Sequence, residues 1–437
     1  MTQAHSTRNR IGPRPLPVHL MAASGFYMSS IAASLALRSG SLVWNPDLRA
    51  EAEKLTAALE NLPPGKPQQK KPQQRKQQPN DLAKSRQPSP DAAFPLAVER
   101  EARSRLCRML RGIERYRSHP YRRTDSTPDA LWREGTSTLL DYRVYLKGPA
   151  RRPPVVLVPS LVNRAYILDL RPEQSLARYL ADRGHPVFLM DWDAPGETER
   201  SFDVGDYIAR LRRALAATAR EMGEPVGLVG YCMGGLLALA AAIGIPDTAR
   251  SLTLMATPWD FHAERPEQAR ALAAQLPGWE PMLAQHSELP TDVLQALFTA
   301  LDPLLAFRKF AWFDKLNPDS DAAKAFVALE DWLNDGVPLS APVARDCIRG
   351  WYGENRPGRG IWIVDGLPVD PAAWTKPTLA LIPAGDRIVP PGSALALAGA
   401  VPDCRIETPS IGHIGMIVAG NARRAVWEPL TEFLDSW

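Results

Sequence analysis

The chain has 437 residues, 45% of them hydrophobic and 23% charged, the composition of a soluble globular protein with one large core and appendages. Its four cysteines, Cys107, Cys232, Cys347 and Cys404, show no C-x-x-C pair and no framework spacing; this argues against a secreted disulfide scaffold and a zinc site, and fits a reducing cytoplasm. Residues 65–86 carry +6 of a net charge of only +4, so the body of the protein is slightly acidic and not built to bind nucleic acid.

Residues 1–15 are polar and broken by proline, and read as disordered. From Leu20 to Leu37 there is no charge, and Arg8, Arg10 and Arg14 precede the run. A leader or membrane span has that outline, but the length is marginal and four serines and a glycine dilute it. A helix packed on the core or lying on an apolar surface fits better. A second helix is expected from Asp47 to Leu62. These make an N-terminal appendage over residues 1–64. Residues 65–93 repeat Pro, Gln, Lys and Arg, cannot support a packed core and read as a solvated linker. A catalytic domain is expected from 94 to 437.

That domain opens with a basic amphipathic helix, Leu96 to Tyr116. Thr138 to Leu146 alternates like an edge strand, and Pro153 to Pro159 encloses a wholly apolar run typical of a buried central strand. A helix over 173–182, a strand at Val187–Trp192, a helix at Val204–Met222 and strands at Val226–Gly230 and Ser251–Ala256 follow. Alternating strands and helices predict a mostly parallel sheet with crossover helices on both faces. From Pro258 to about Gly350 the alternation stops. This stretch is helical and contains Phe307, Phe310, Trp312, Phe313 and Trp332; it reads as a cap, about 262–350, over an active site. Strands return at Thr378–Ala384 and Arg405–Thr408.

The chemistry centres on Gly230-Tyr231-Cys232-Met233-Gly234-Gly235. Strand, tight turn and apolar helix in this order form a nucleophile elbow, in which a strained turn lifts one side chain above the sheet. The side chain here is a cysteine, whose thiolate both attacks thioesters and leaves readily. A small buried cysteine in an ordinary strand-turn-helix has the same pattern, so the elbow needs partners. Asp386 and His413 supply them, each in a loop after a strand and in the order nucleophile, acid, histidine. His5 and His19 fall in the appendage, His119 in a proline-flanked loop, His185 at a strand entrance on the wrong end of the sheet, and His262 and His286 in the cap. The two oxyanion donors expected are the amides of Met233 and Val162. No metal site is expected.

Pro159-Ser-Leu-Val-Asn-Arg-Ala-Tyr-Ile-Leu-Asp-Leu170, Ser175-Leu-Ala-Arg178, Asp191-Trp192, Asp206-Tyr207, the Cys232 elbow and Met255-Ala-Thr-Pro-Trp-Asp-Phe261 together resemble the polyhydroxyalkanoate synthases. The chain is most similar to the catalytic subunit of their short, two-component type. The resemblance runs from about 95 to 437 and implies an α/β-hydrolase fold, with Cys232 as acyl carrier, His413 as base and Asp386 as its supporting acid. It implies 3-hydroxyacyl-CoA and a growing polyester as reactants, with no separate cofactor, and work at cytoplasmic polymer granules. A second synthase subunit, a homodimer and a granule surface are the partners it brings into view. Two features depart from the family: Arg387 follows Asp386 where histidine is usual, and the N-terminal appendage and linker have no counterpart in the short synthases. The same triad with water admitted gives the alternative, a thioesterase, polymer depolymerase or esterase. The elbow also resembles that of dienelactone hydrolases, whose acid and histidine follow the nucleophile much more closely.

Overall fold

Eight strands frame the molecule: β1 (Ala130–Glu134), β2 (Ser137–Asp141), β3 (Val155–Val158), β4 (Val187–Asp191), β5 (Val226–Tyr231), β6 (Ala249–Met255), β7 (Thr378–Leu381) and β8 (Arg405–Glu407). They form one sheet in the order β1-β2-β4-β3-β5-β6-β7-β8. The computed structural model describes residues 10–38, 41–42, 49–60, 90–123 and 127–437. Strands β3 to β8 run parallel, while β2 is antiparallel to both β1 and β4. The inner parallel strands β3, β5 and β7 are wholly buried because both faces are covered, whereas the edge strand β8 is largely exposed. Val156 and Val158 face one buried cluster with helices α5 (Val204–Met222) and α6 (Met233–Gly244), and Val155 and Leu157 face another with α4 (Leu176–Asp182) and α13 (Glu428–Asp435). Helix α5 is bounded by local chemistry. Asp203 and Asp206 form a capping box at its start, and Gly223, at φ 71°, ends it in the left-handed conformation.

The strand expected from Thr138 to Leu146 stops at Asp141. Its carboxylate accepts the amide of Arg143, which turns residues 142–145 into a 3-10 helix. The sheet edge is instead β1, paired to β2 through the turn at Gly135.

The chain divides into two units. One comprises residues 1–15, 119–302 and 317–437, and the other residues 16–118 and 303–316. The first holds the sheet and most of the cap: α7 (Pro266–Ala273), α8 (Leu276–His286), α9 (Thr291–Leu301), α11 (Asp321–Asn334), α12 (Ala341–Arg345) and a π-helix over Asp346–Gly353. The second contains α1 (Leu16–Arg38), α2 (Arg49–Glu60), α3 (Pro90–Ser118) and α10 (Leu305–Phe313). The expected boundary at residue 94 therefore does not match the division, because α3 packs with α1 and α10. Gly112 permits this: a Cβ there would lie 2.0 Å from the carbonyl oxygen of Phe310. Phe26 meets Phe307 at 5.0 Å and Tyr116 meets Phe310 at 5.8 Å between ring centroids.

Helix α1 is long and apolar enough to cross a membrane, and only 11% of its most apolar stretch is buried. The expected linker falls mainly on residues 65–89, outside the described residues, as do residues 1–9. Residues 10–15, expected to be disordered, are held by hydrogen bonds to α11.

Candidate active site

The elbow forms where β5 meets α6. Cys232 adopts φ 57°, ψ −129°, a conformation costly for a residue with a Cβ and held by its surroundings. Its amide donates to the Met255 carbonyl at 2.8 Å. The glycines are required by contact. A Cβ on Gly234 would lie 2.1 Å from the Val158 carbonyl oxygen, and one on Gly235 would lie 1.9 Å from Thr257 Oγ1. Helix α6 thus starts pressed against the end of β3 and the loop after β6, which brings those loops to the half-buried Cys232.

The structure brings Asp386 and His413 together: His413 Nδ1 and Asp386 Oδ2 are 2.6 Å apart, with both side chains buried. The amides of Ile388 and Val389 donate to Asp386 Oδ1 at 2.8 and 2.9 Å, so the acid is fixed before it touches the histidine. Burial works against charge on the His413 ring. The charge of Cys232, with hydrogen bonds to Asp386 and to Cys232, overcomes burial and raises the ring to about 10. The arrangement therefore favours the charged imidazolium form of His413 beside Cys232. Arg387 turns away from Asp386 and pairs with Asp302 at 3.2 Å, its side chain 73% exposed. The residue that departs from the synthase pattern thus leaves the acid's hydrogen bonds intact.

Three other histidines of the sheet-and-cap unit are engaged elsewhere, and His286 is exposed in the last turn of α8. Ring nitrogens of His119, His185 and His262 contact the carbonyls of Pro318, Pro153 and Tyr352 at 2.7 to 2.9 Å. Met233 opens α6, where the first amides have no intrahelical acceptor. Val162 lies in the loop after β3, and its amide donates to Ser160 Oγ at 3.1 Å. Among the described residues no cluster of His, Cys, Asp or Glu could hold a metal.

Two tyrosines complete the site, and neither was singled out from sequence. The Tyr231 hydroxyl donates to the His413 carbonyl at 3.2 Å, and its ring lies 5.3 Å from the imidazole. Burial, with the charges of Cys232 and Asp386, raises its phenol well above the ordinary range. Tyr352, on the π-helix, is raised by burial and then by the charge of Cys232. It joins a shell of Trp259, Phe261, Trp351 and Trp362, with neighbouring rings 4.9 to 6.1 Å apart. These aromatics replace most of those expected for the cap. Phe307, Phe310 and Phe313 lie on α10 and serve the second unit, and Trp312 is exposed. Trp332 alone stays with the first unit, donating to the Arg164 carbonyl at 2.8 Å. Tyr231 was legible as part of the elbow motif, whereas nothing in the sequence marks a π-helix.

A parallel sheet flanked by helices, with an elbow after its central strand and acid and histidine on later loops, defines an α/β-hydrolase. The family model for the alpha/beta hydrolase fold matches residues 153–419, and the chain belongs to that family. Among characterised proteins it is similar to the poly(3-hydroxyalkanoate) polymerase subunit PhaC of Allochromatium vinosum, 29% identical over 316 residues, covering 71% of this chain and 88% of that one. The subunit of the same name from a Synechocystis species is 29% identical over 319 residues, covering 70% and 84%. That of Haloferax mediterranei is 26% identical over 286 residues, and the match spans 58% of its length and 64% of this chain. Among solved structures, a monoacylglycerol lipase of Paleococcus ferrophilus covers 70% of this chain and is itself covered to 99%, at 20% identity and a TM-score of 0.46.

Proposed function

We propose that this chain is a polyhydroxyalkanoate synthase-type acyltransferase that polymerises 3-hydroxyacyl groups from CoA thioesters. The observation that carries the reading is the strained Cys232 elbow beside a His413 held protonated by Cys232 and Asp386. The similarity to three polymerase subunits gives the substrate class.

In the first half-reaction the Cys232 thiolate attacks the thioester carbonyl. The C–S bond to CoA breaks, the leaving sulfur takes the His413 proton, and the acyl group remains on Cys232. In the second, the hydroxyl of a bound chain or monomer loses its proton to His413 and attacks the acyl-cysteine. A new ester C–O bond forms and the Cys232 thiolate returns. Asp386 holds the imidazole in one tautomer throughout. Met233 supplies one oxyanion amide; the Val162 amide supplies the second once it leaves Ser160 Oγ. No cofactor beyond the CoA thioester takes part. Water competes with the hydroxyl nucleophile, and the aromatic shell around Tyr352 opposes its entry. The four free cysteines suit a reducing cytoplasm, where a polymer granule would hold the product and a second subunit or second copy would join the enzyme.

The test is CoA release from 3-hydroxybutyryl-CoA by wild type and Cys232→Ala, with product sizes determined. Cys232-dependent release that yields long polyester supports the synthase. Release that yields only free acid makes the protein a thioesterase. No release, even with an added partner subunit, moves the reading to ester or polymer hydrolysis.

A further inference from the structure

The segment that leads into α1 is tied to the cap. Arg10 is 95% buried by side chain and forms a forked pair with Asp331 of α11, Nε to Oδ1 and Nη2 to Oδ2, each 2.6 Å. Its remaining donors reach the carbonyls of His119 at 2.6 Å and Tyr121 at 2.5 Å. Four residues on, the Arg14 amide donates to Asn334 Oδ1 at 2.8 Å, and its guanidinium pairs with Asp292 of α9. All these residues belong to the first unit.

The same two cap helices also hold the loop after β3. Gln295 of α9 reaches Asn163 Oδ1 at 3.4 Å, and Trp332 of α11 donates to the Arg164 carbonyl. Arg164 also pairs with Asp335 at 3.8 Å. A Cβ on Gly336 would lie within 3.3 Å of Thr291, Gln295 and Asn163 at once, so the helices close tightly around that loop. Ala328 and Trp332 share a buried cluster with Tyr231, against which Cys232 packs.

We propose that Arg10 is a positioning residue for the active site: through Asp331 it latches α11 onto the β3 loop and keeps the cap closed over Cys232. A charge-assisted fork is directional and holds one arrangement of the helix, and a buried pair that fixes a single geometry suits a latch with open and closed states. The inference rests on Cys232 as the reacting thiol, but not on which acyl group it carries.

The test uses the full chain with Cys107 and Cys404 changed to serine, and compares Arg10→Ala, Arg10→Lys, Asp331→Asn and the Arg10→Ala/Asp331→Asn double variant. The first readout is the rate of Cys232 alkylation by iodoacetamide, located by peptide mass. It should rise about tenfold or more in Arg10→Ala and in Asp331→Asn, and no further in the double variant. Arg10→Lys should fall between, since one ammonium cannot reproduce the fork. The second readout is CoA release, in which kcat should fall more than KM changes. Should Arg10→Ala not fold, the near-isosteric Asp331→Asn decides alone. A lowered melting temperature with unchanged Cys232 alkylation would reduce Arg10 to a structural anchor and overturn the proposal. Absence of CoA release in wild type, even with an added partner subunit, would refute the polymerase reading and leave the alkylation result standing.

Discussion

At the scale of the residue, Asp386 divides its oxygens: Oδ1 takes two loop amides and Oδ2 takes His413. Asp386→Asn keeps the shape but can offer an amide N–H toward Nδ1, which imposes the wrong tautomer. CoA release should fall by about 10⁴-fold. Arg387→Ala removes only an exposed partner of Asp302, worth about 0–1 kcal/mol, so its initial rate should stay near wild type; a loss comparable to that of Asp386→Asn would show that Arg387 does act on the acid. His413 gives a prediction with a definite sign. Folding raises it from 6.5 to about 10, so its charged form contributes stability that is complete below pH 6.5 and is lost as pH rises through 10. Cys232→Ala removes the leading favourable cause and leaves burial, which works the other way. Its imidazole should then titrate at lower pH by NMR, and its alkaline loss of melting temperature should begin earlier. Superimposable titrations would mean that Cys232 does not hold the proton. Cys232 and Asp386 were legible because each is a reactive residue type just after an apolar strand, and His413 because it follows the last strand in the expected chain order. Arg10 was not: in a polar, proline-broken segment nothing distinguishes a buried arginine making four hydrogen bonds from a solvated one.

At the scale of the element, the elbow depends on two glycines with different obstacles. A Cβ on Gly234 meets the Val158 and Pro159 backbone, whereas one on Gly235 meets the Thr257 side chain. Overpacking of this kind costs about 1–3 kcal/mol. Gly234→Ala should therefore destabilise with no simple remedy, since backbone cannot be trimmed. Gly235→Ala should be partly rescued by Thr257→Ala, which removes the Oγ1 and Cγ2 contacts at 1.9 and 2.7 Å but leaves Cβ at 2.8 Å. Urea melts of the two singles and the double test this; purely additive losses would mean that Thr257 is not the obstacle. The glycine pattern was readable from the sequence, and so were the inner parallel strands such as β3 and β7, because burial on both faces forces unbroken apolar runs. Strand β1 was not readable, since half-exposed Ala-Leu-Trp-Arg-Glu lacks both an apolar run and clean alternation.

At the scale of the whole molecule, the sequence shows a helical insertion after β6 but not that it is shared. Helix α10 leaves the cap on either side, at Asp302 and Asn317, and joins α1 and α3. Amphipathic periodicity reveals that a helix has an apolar face and is silent about what covers it. The second unit is thus assembled from segments about 200 residues apart, and its cohesion can be tested at one atom. Gly112→Ala places a methyl group 2.0 Å from the Phe310 carbonyl oxygen, and backbone on both sides leaves little room to yield. Separating α3 from α10 would also pull Tyr116 from Phe310 and Arg111 from Asp314, now paired at 2.9 Å. If these helices form one cooperative unit, amides in α1, α3 and α10 should lose protection together in hydrogen exchange, by the 1–3 kcal/mol typical of an overpacked contact, about tenfold to a hundredfold in rate. Loss confined to the turn of α3 around residue 112 would show instead that the three helices open independently, each stabilised by its own contacts.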